Sequence, residues 1–146
     1  MEAALVAIER SPLVAALRTS FFVYPAISAL HILAVGVLLT TVLLMDFRVL
    51  GAIRSLPEAA FVRLLRRVAL TAFAVAILSG IALFSVRASE YAAMPLFLAK
   101  LGLIVLAGAN SVAFGLGGGP LRKPLAAFSI LLWLSVLIAG RFLGFV

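Results

Sequence analysis

Four long apolar stretches constrain the fold of this chain more than any other feature of its sequence. The first runs from Phe21 to Leu44 and contains no acidic or basic residue apart from His31. A stretch of about 20 apolar residues is long enough to cross a hydrocarbon core of about 30 Å as an α-helix. Hydrophobic residues make up 66% of the chain, whereas soluble domains hold roughly 45–50%. The sequence therefore predicts an integral membrane protein.

Three further stretches of similar length predict an all-α fold, an integral membrane four-helix bundle. The expected spans cover about residues 21–45, 67–87, 94–115 and 124–145 of a single transmembrane domain, residues 1–146. Ala72, Ala76 and Gly80 form a ridge of small residues on the second span, which lets a neighbouring helix approach closely. Glycines and prolines mark residues 115–124 as a loop.

The residues before the first span predict a short N-terminal interfacial helix, over about residues 3–19. Pro12 interrupts the apolar pattern there, and Ser11 directly before it is a suitable N-cap for a second helical turn. Acidic and basic residues among the apolar ones are typical of a segment that lies on the membrane surface. The alternative is a terminus without fixed structure.

The basic residues predict the orientation of the chain. The two loops expected on one side hold more Lys and Arg than the opposite side, and such loops stay in the cytoplasm. We therefore expect a bacterial inner (cytoplasmic) membrane protein with both termini outside, in the periplasm. The net charge of +7 is then explained by anionic lipid headgroups, and no nucleic acid is expected as a partner. The cytoplasmic set is Arg48, Arg54, Arg63, Arg66, Arg67, Arg122 and Lys123, and the opposite set is Arg10, Arg18, Arg87 and Arg141.

Three ionisable residues lie within the expected spans: His31, Lys100 and Arg141. His31 and Lys100 lie roughly 15 Å and 10 Å from the outer surface at 1.5 Å per residue, and Arg141 approaches the same leaflet from the other direction. Ionisable side chains at such depth are costly, and they commonly mark a functional site. The outer half of the bundle is therefore the predicted location of the site.

Each of these residues has two interpretations. His31 is either a neutral imidazole bonded to a serine or carbonyl of another span, or a ligand to a metal such as haem iron. Lys100 either extends to the outer headgroups or faces the bundle interior. Arg141 has apolar neighbours on its own helix face, which favours a lipid-side position. Asn110 is expected to bond between helices rather than to bind a ligand.

The absence of cysteine and of a second histidine excludes several kinds of site within one chain. Without thiolates or paired carboxylates in the spans, a single imidazole does not make a zinc site. A Ser/His/Asp triad within the membrane is not expected either, because no acidic residue accompanies His31 in its apolar stretch. Lys123 does not stand in the spacing that a phosphate-binding P-loop requires. Whether the protein is an enzyme stays open.

Several polar landmarks resemble those of a family of uncharacterised bacterial four-span integral membrane proteins. They are His31 with residues 43–51 (LLMDFRVLG), residues 78–84 (LSGIALF), the pattern Tyr91, Pro95, Phe97 and Lys100, and then Asn110. The match covers roughly residues 24–115. More remotely, the chain is similar to HemJ-type protoporphyrinogen oxidases and to CopD-type copper-resistance membrane domains.

The HemJ-type resemblance implies haem b at His31 and an essential lysine, which would be Lys100. This chain lacks the further histidines of such relatives, so that two histidines of one chain cannot hold the haem. The CopD-type resemblance implies copper, but soft ligands for copper are missing here. The first hypothesis is thus a haem-b or porphyrin-binding redox protein. Lys100, Arg87 and Arg141 would lie near the haem propionates. The protein would form a homo-oligomer or act with a redox partner in the membrane. The alternative is a non-enzymatic membrane subunit or small transporter without a cofactor.

Overall fold

A computed structural model of the chain describes residues 2–55, 57–117 and 119–145, and in these ranges it contains helices joined by short turns and no β-strand. Four of the helices are long and apolar enough to cross a membrane, which confirms the predicted all-α, four-helix membrane fold. In chain order the helices are α1 (Glu2–Glu9), α2 (Pro12–Thr19), α3 (Val23–Leu50), α4 (Glu58–Ser85), α5 (Ala88–Ala93), α6 (Pro95–Leu116) and α7 (Arg122–Phe142), with a short 3-10 helix at Gly119–Leu121 before α7.

The first two long helices extend beyond the expected spans into the charged segment between them. α3 ends at Leu50, and the next residue, Gly51, caps it with a left-handed φ of 93° and donates its N–H to the Arg48 carbonyl. Ala52 donates to the Phe47 carbonyl in the same motif. α4 begins directly after Pro57, with Glu58 in its first turn. Hydropathy marks only the apolar part of a helix, and these capping residues decide where the helix itself ends.

The four long helices share one core. α3 packs most extensively against α4, α6 packs against α7, and contact between α3 and α7 joins the two pairs. Ala72 and Ala76 are buried, in agreement with the close approach that the ridge of small residues predicts. The largest core cluster draws on all four helices and consists of Leu38, Val42, Ala69, Ala72, Ala107, Leu132 and Trp133.

The two N-terminal helices fold back onto one end of the bundle, here named the α5 end. Ser11 accepts a hydrogen bond from the Val14 N–H at 3.4 Å, so it caps α2 as the sequence predicts. The Glu9 carboxylate accepts hydrogen bonds from both the hydroxyl and the backbone N–H of Ser89, each at 2.7 Å. These bonds connect α1 to the first turn of α5, where the helix dipole favours a negative charge.

The Glu9 contact predicts an acid-sensitive docking of α1. The hydroxyl of Ser89, followed by its backbone N–H, lowers the pKa of Glu9 below its ordinary value. A carboxyl whose pKa is lowered by folding contributes stability above its unfolded pKa, and this stability is lost as the pH falls through the folded pKa. We therefore expect faster hydrogen exchange in residues 2–9 at acidic pH. In Glu9→Gln the exchange should already be fast at neutral pH and nearly independent of pH after correction for intrinsic rates, and an unchanged acid response would contradict the assignment.

Candidate functional site

The imidazole of His31 is held by a hydroxyl of the neighbouring helix. Its Nδ1 lies 2.9 Å from Ser79 Oγ, and Ser79 is buried on α4. The Ser79 hydroxyl donates to the Val75 carbonyl at 2.6 Å, so it can only accept from His31. This arrangement places the ring proton on Nδ1 and leaves Nε2 as the basic nitrogen.

Gly80 provides the space in which the imidazole lies. A β-carbon placed on Gly80 would approach His31 Cε1 to 3.1 Å and Nδ1 to 3.6 Å. Contacts below about 3.4 Å are tighter than most real ones, so any larger residue at position 80 would compete with the ring. Gly80, the last residue of the small ridge on α4, thus leaves room for the imidazole and also allows close packing of the helices.

Lys100 enters the same level of the bundle from α6. Its Nζ and Cε lie 3.6 Å from the position that a β-carbon on Gly140 of α7 would occupy, and the side chain is only partly exposed. The positive charge of Lys100 also acts on the imidazole of His31. Of the two interpretations that the sequence left open, this position corresponds to a lysine that faces the bundle interior.

These five residues are named here the imidazole cluster: His31, Ser79, Gly80, Lys100 and Gly140. Each of the four long helices contributes to it, α3 with the imidazole, α4 with the hydroxyl and a glycine, α6 with the amine and α7 with a glycine. The cluster lies toward the α5 end of the bundle, because His31 is only eight residues after the start of α3, about 12 Å along the axis. The structure thus brings together two of the four predicted site residues.

The other two predicted site residues have their described contacts elsewhere. Arg141 is exposed, and its guanidinium lies 4.6 Å from the centre of the Phe145 ring. Arg87 is exposed as well and forms an ion pair with Glu90 at 3.4 Å. Both lie near the α5 end, but in the described part of the chain each has a partner outside the imidazole cluster. Their role beside a propionate stays a prediction.

The opposite half of the bundle contains a second polar group, which the sequence interpretation missed. Asp46 is only 4% exposed, and one oxygen of its carboxyl accepts a hydrogen bond from Ser129 on α7. Trp133, one turn after Ser129 on α7, is buried as well. Asn110 donates to the Leu125 carbonyl at 3.1 Å, which confirms its predicted bond between α6 and α7.

A sequence signal for Asp46 existed. Leu38, Val42 and Asp46 recur at four-residue spacing, so Asp46 lies on the same face of α3 as two core residues. Arg48, two residues later, instead favours a position at the membrane surface, where the span ends. Ser79 carried no comparable signal, because a hydroxyl in an apolar helix can bond to its own backbone.

The donor set limits which groups the site can hold. In the described ranges, no three His, Cys, Asp or Glu side chains are grouped closely enough to bind a metal ion. A metal bound only by protein side chains is therefore not supported there. A single imidazole with its Nδ1–H bonded to a hydroxyl is, by contrast, the arrangement that orients an axial histidine toward a metal at Nε2. The residues present thus fit one axial ligand of a haem.

Comparison of the chain with protein-family models, with curated proteins and with solved structures gives no match.

Proposed function

We propose that this multi-pass membrane protein binds haem b or a related porphyrin at the imidazole cluster, with His31 Nε2 as the axial ligand. The observation that carries the proposal is the hydrogen bond from His31 Nδ1 to Ser79, because it fixes the ring and directs the basic nitrogen away from α4. A bound haem would supply one-electron redox chemistry. The chain would hold it, orient it and shield it from water.

Lys100 has a separate role in this proposal. Its amine lies beside Gly140, and its positive charge acts on the imidazole of His31. A cation in this position would stabilise an anionic group of a ligand, since charges are only weakly screened away from water. Arg87 and Arg141 at the α5 end would meet the remaining carboxylates, which is the function expected of them from the sequence.

The second candidate is a membrane subunit or small transporter without a cofactor. It is favoured by the fact that Ser79 already meets the hydrogen-bonding need of His31 Nδ1 within the chain, as it would for a histidine that only stabilises the bundle. In this case His31 and Lys100 would connect helices or lie along an ion path.

The visible spectrum of the protein, purified in detergent and supplemented with haem, distinguishes the two candidates. The first predicts a Soret band that His31→Ala abolishes, because the iron loses its protein ligand. Ser28→Ala, on the same face of α3 one turn earlier, is the matched control and should keep the band. Absence of a Soret band in the supplemented wild-type protein would contradict haem binding, and a stable, colourless protein would favour the second candidate.

A further inference from the structure

The proposed function leaves one buried carboxyl group without a role. In the described part of the chain, the buried side-chain polar atoms that have no hydrogen-bond partner are Asp46 Oδ2 and Trp133 Nε1. An unpaired polar atom in a buried position is unfavourable, because it has lost its hydrogen bonds to water. The two atoms belong to helices that face each other, α3 and α7. One is an acceptor and the other a donor.

The helix geometry directs these two side chains toward each other. Ser129, which bonds to Asp46, and Trp133 lie one turn apart on α7, about 6 Å along the axis. Side chains of a helix lean toward its N-terminal end. Trp133 therefore leans toward the level of Ser129. Asp46 leans the opposite way, toward Trp133, because α3 and α7 are antiparallel.

The protonation state of Asp46 decides which hydrogen bonds this site can form. The indole N–H only donates, and an ionised carboxylate only accepts. The two atoms form no direct hydrogen bond in the structure, so the indole would donate to the ionised carboxylate through one water molecule. A proton on Asp46 converts Oδ2 into a donor, and the indole then loses its acceptor. A metal cation is disfavoured, because the indole N–H would point its positive end into the site.

We propose that Asp46 is a proton-binding site within the bundle, in which Ser129 donates a hydrogen bond to the ionised carboxylate and the Trp133 indole donates to it through a water molecule. The residues Leu38 and Val42 of the core lie between Asp46 and His31 on α3. The two ionisable residues are 15 positions apart, about 22 Å along the helix. The site is therefore separate from the imidazole cluster.

At the end of the bundle opposite the α5 end, charged groups of α3, α4 and α7 form ion pairs with one another. Glu58 of α4 accepts from Arg122 of α7 at 2.6 Å and lies 3.8 Å from Arg48 of α3. α6 contributes no charged residue beyond Lys100. The remaining cations on α4 and α7 here are the exposed Arg63, Arg66, Arg67 and Lys123. Any test must therefore distinguish the titration of Asp46 from that of Glu58.

Trp133 reports on this site directly, because it is the only tryptophan of the chain. We expect its fluorescence, measured in the full-length protein in lipid nanodiscs, to change in one step as the pH is varied. Asp46→Asn should remove that step, whereas Glu58→Gln and Glu90→Gln should keep it. Emission that does not titrate in the wild type, or a step that persists in Asp46→Asn, would overturn the proposal.

If Asp46→Asn does not fold, a variant of its partner Ser129 tests the same site. Ser129→Ala removes one donor to the carboxylate and should displace the midpoint of the fluorescence step. Ser135→Ala is the matched control, since Ser135 is an exposed serine of the same helix that bonds to its own backbone. A midpoint unchanged in Ser129→Ala would overturn the proposal. The outcome does not depend on haem, because a bound chromophore dims the emission without linking it to Asp46.

Discussion

Replacing Gly80 by valine is expected to break the His31–Ser79 hydrogen bond and to abolish haem binding at the imidazole cluster. A single β-carbon at this position already approaches His31 Cε1 to 3.1 Å, and valine adds two further methyl groups. α4 cannot move away easily, because its small residues pack closely against α3. Overpacking of this kind costs about 1–3 kcal/mol. The imidazole is therefore expected to leave its position beside Ser79.

Two measurements test this expectation. Haem titration followed by the Soret band should show loss of binding, and equilibrium unfolding in mixed micelles should show the destabilisation even if the protein binds no haem. Gly102→Val is the matched control, since nothing lies within 4 Å of a β-carbon there and the residue is exposed on α6. A Gly80→Val protein as stable as Gly102→Val would contradict the packing described for His31.

Replacing Trp133 by alanine is expected to cause the largest loss of stability among single core substitutions. Trp133 is 6% exposed, belongs to the core cluster of all four helices and meets the Phe73 ring edge-on at 6.2 Å between centroids. Such truncations cost about 3–5 kcal/mol in soluble proteins, where part of the cost is transfer from water. Lipid is as apolar as the core, so the loss of packing contacts accounts for most of the cost in a membrane. We therefore expect the free energy of unfolding to fall by roughly 2–3 kcal/mol.

Phe128→Ala on the same helix is the control for this substitution. Phe128 is 50% exposed, so its removal opens no cavity in the core. Equilibrium unfolding in mixed micelles, followed by circular dichroism, measures both variants without relying on tryptophan emission. Equal stability of Trp133→Ala and Phe128→Ala would show that the core is not packed around the indole.

The sequence alone was sufficient for the membrane fold and for two residues of the site. Runs of about 20 apolar residues cannot be buried by so small a soluble domain, and in a bilayer they must be helical, because the backbone has to satisfy its own hydrogen bonds. His31 and Lys100 stood out for a related reason, since ionisable groups are rare in such runs. These conclusions depend only on composition along the chain.

The partners of these residues were decided by the tertiary structure. In a soluble helix the apolar stripe shows which face is buried, but a membrane helix is apolar on every side, so its sequence does not reveal its rotation. Contact between α3 and α4 placed Ser79 and Gly80 against His31, and contact between α6 and α7 placed Gly140 against Lys100. Asp46, which resembled an end marker in the sequence, became a buried group only because α3 packs against Ser129 of α7. Hydropathy determined the depth of each residue, and helix packing determined which residues meet at that depth.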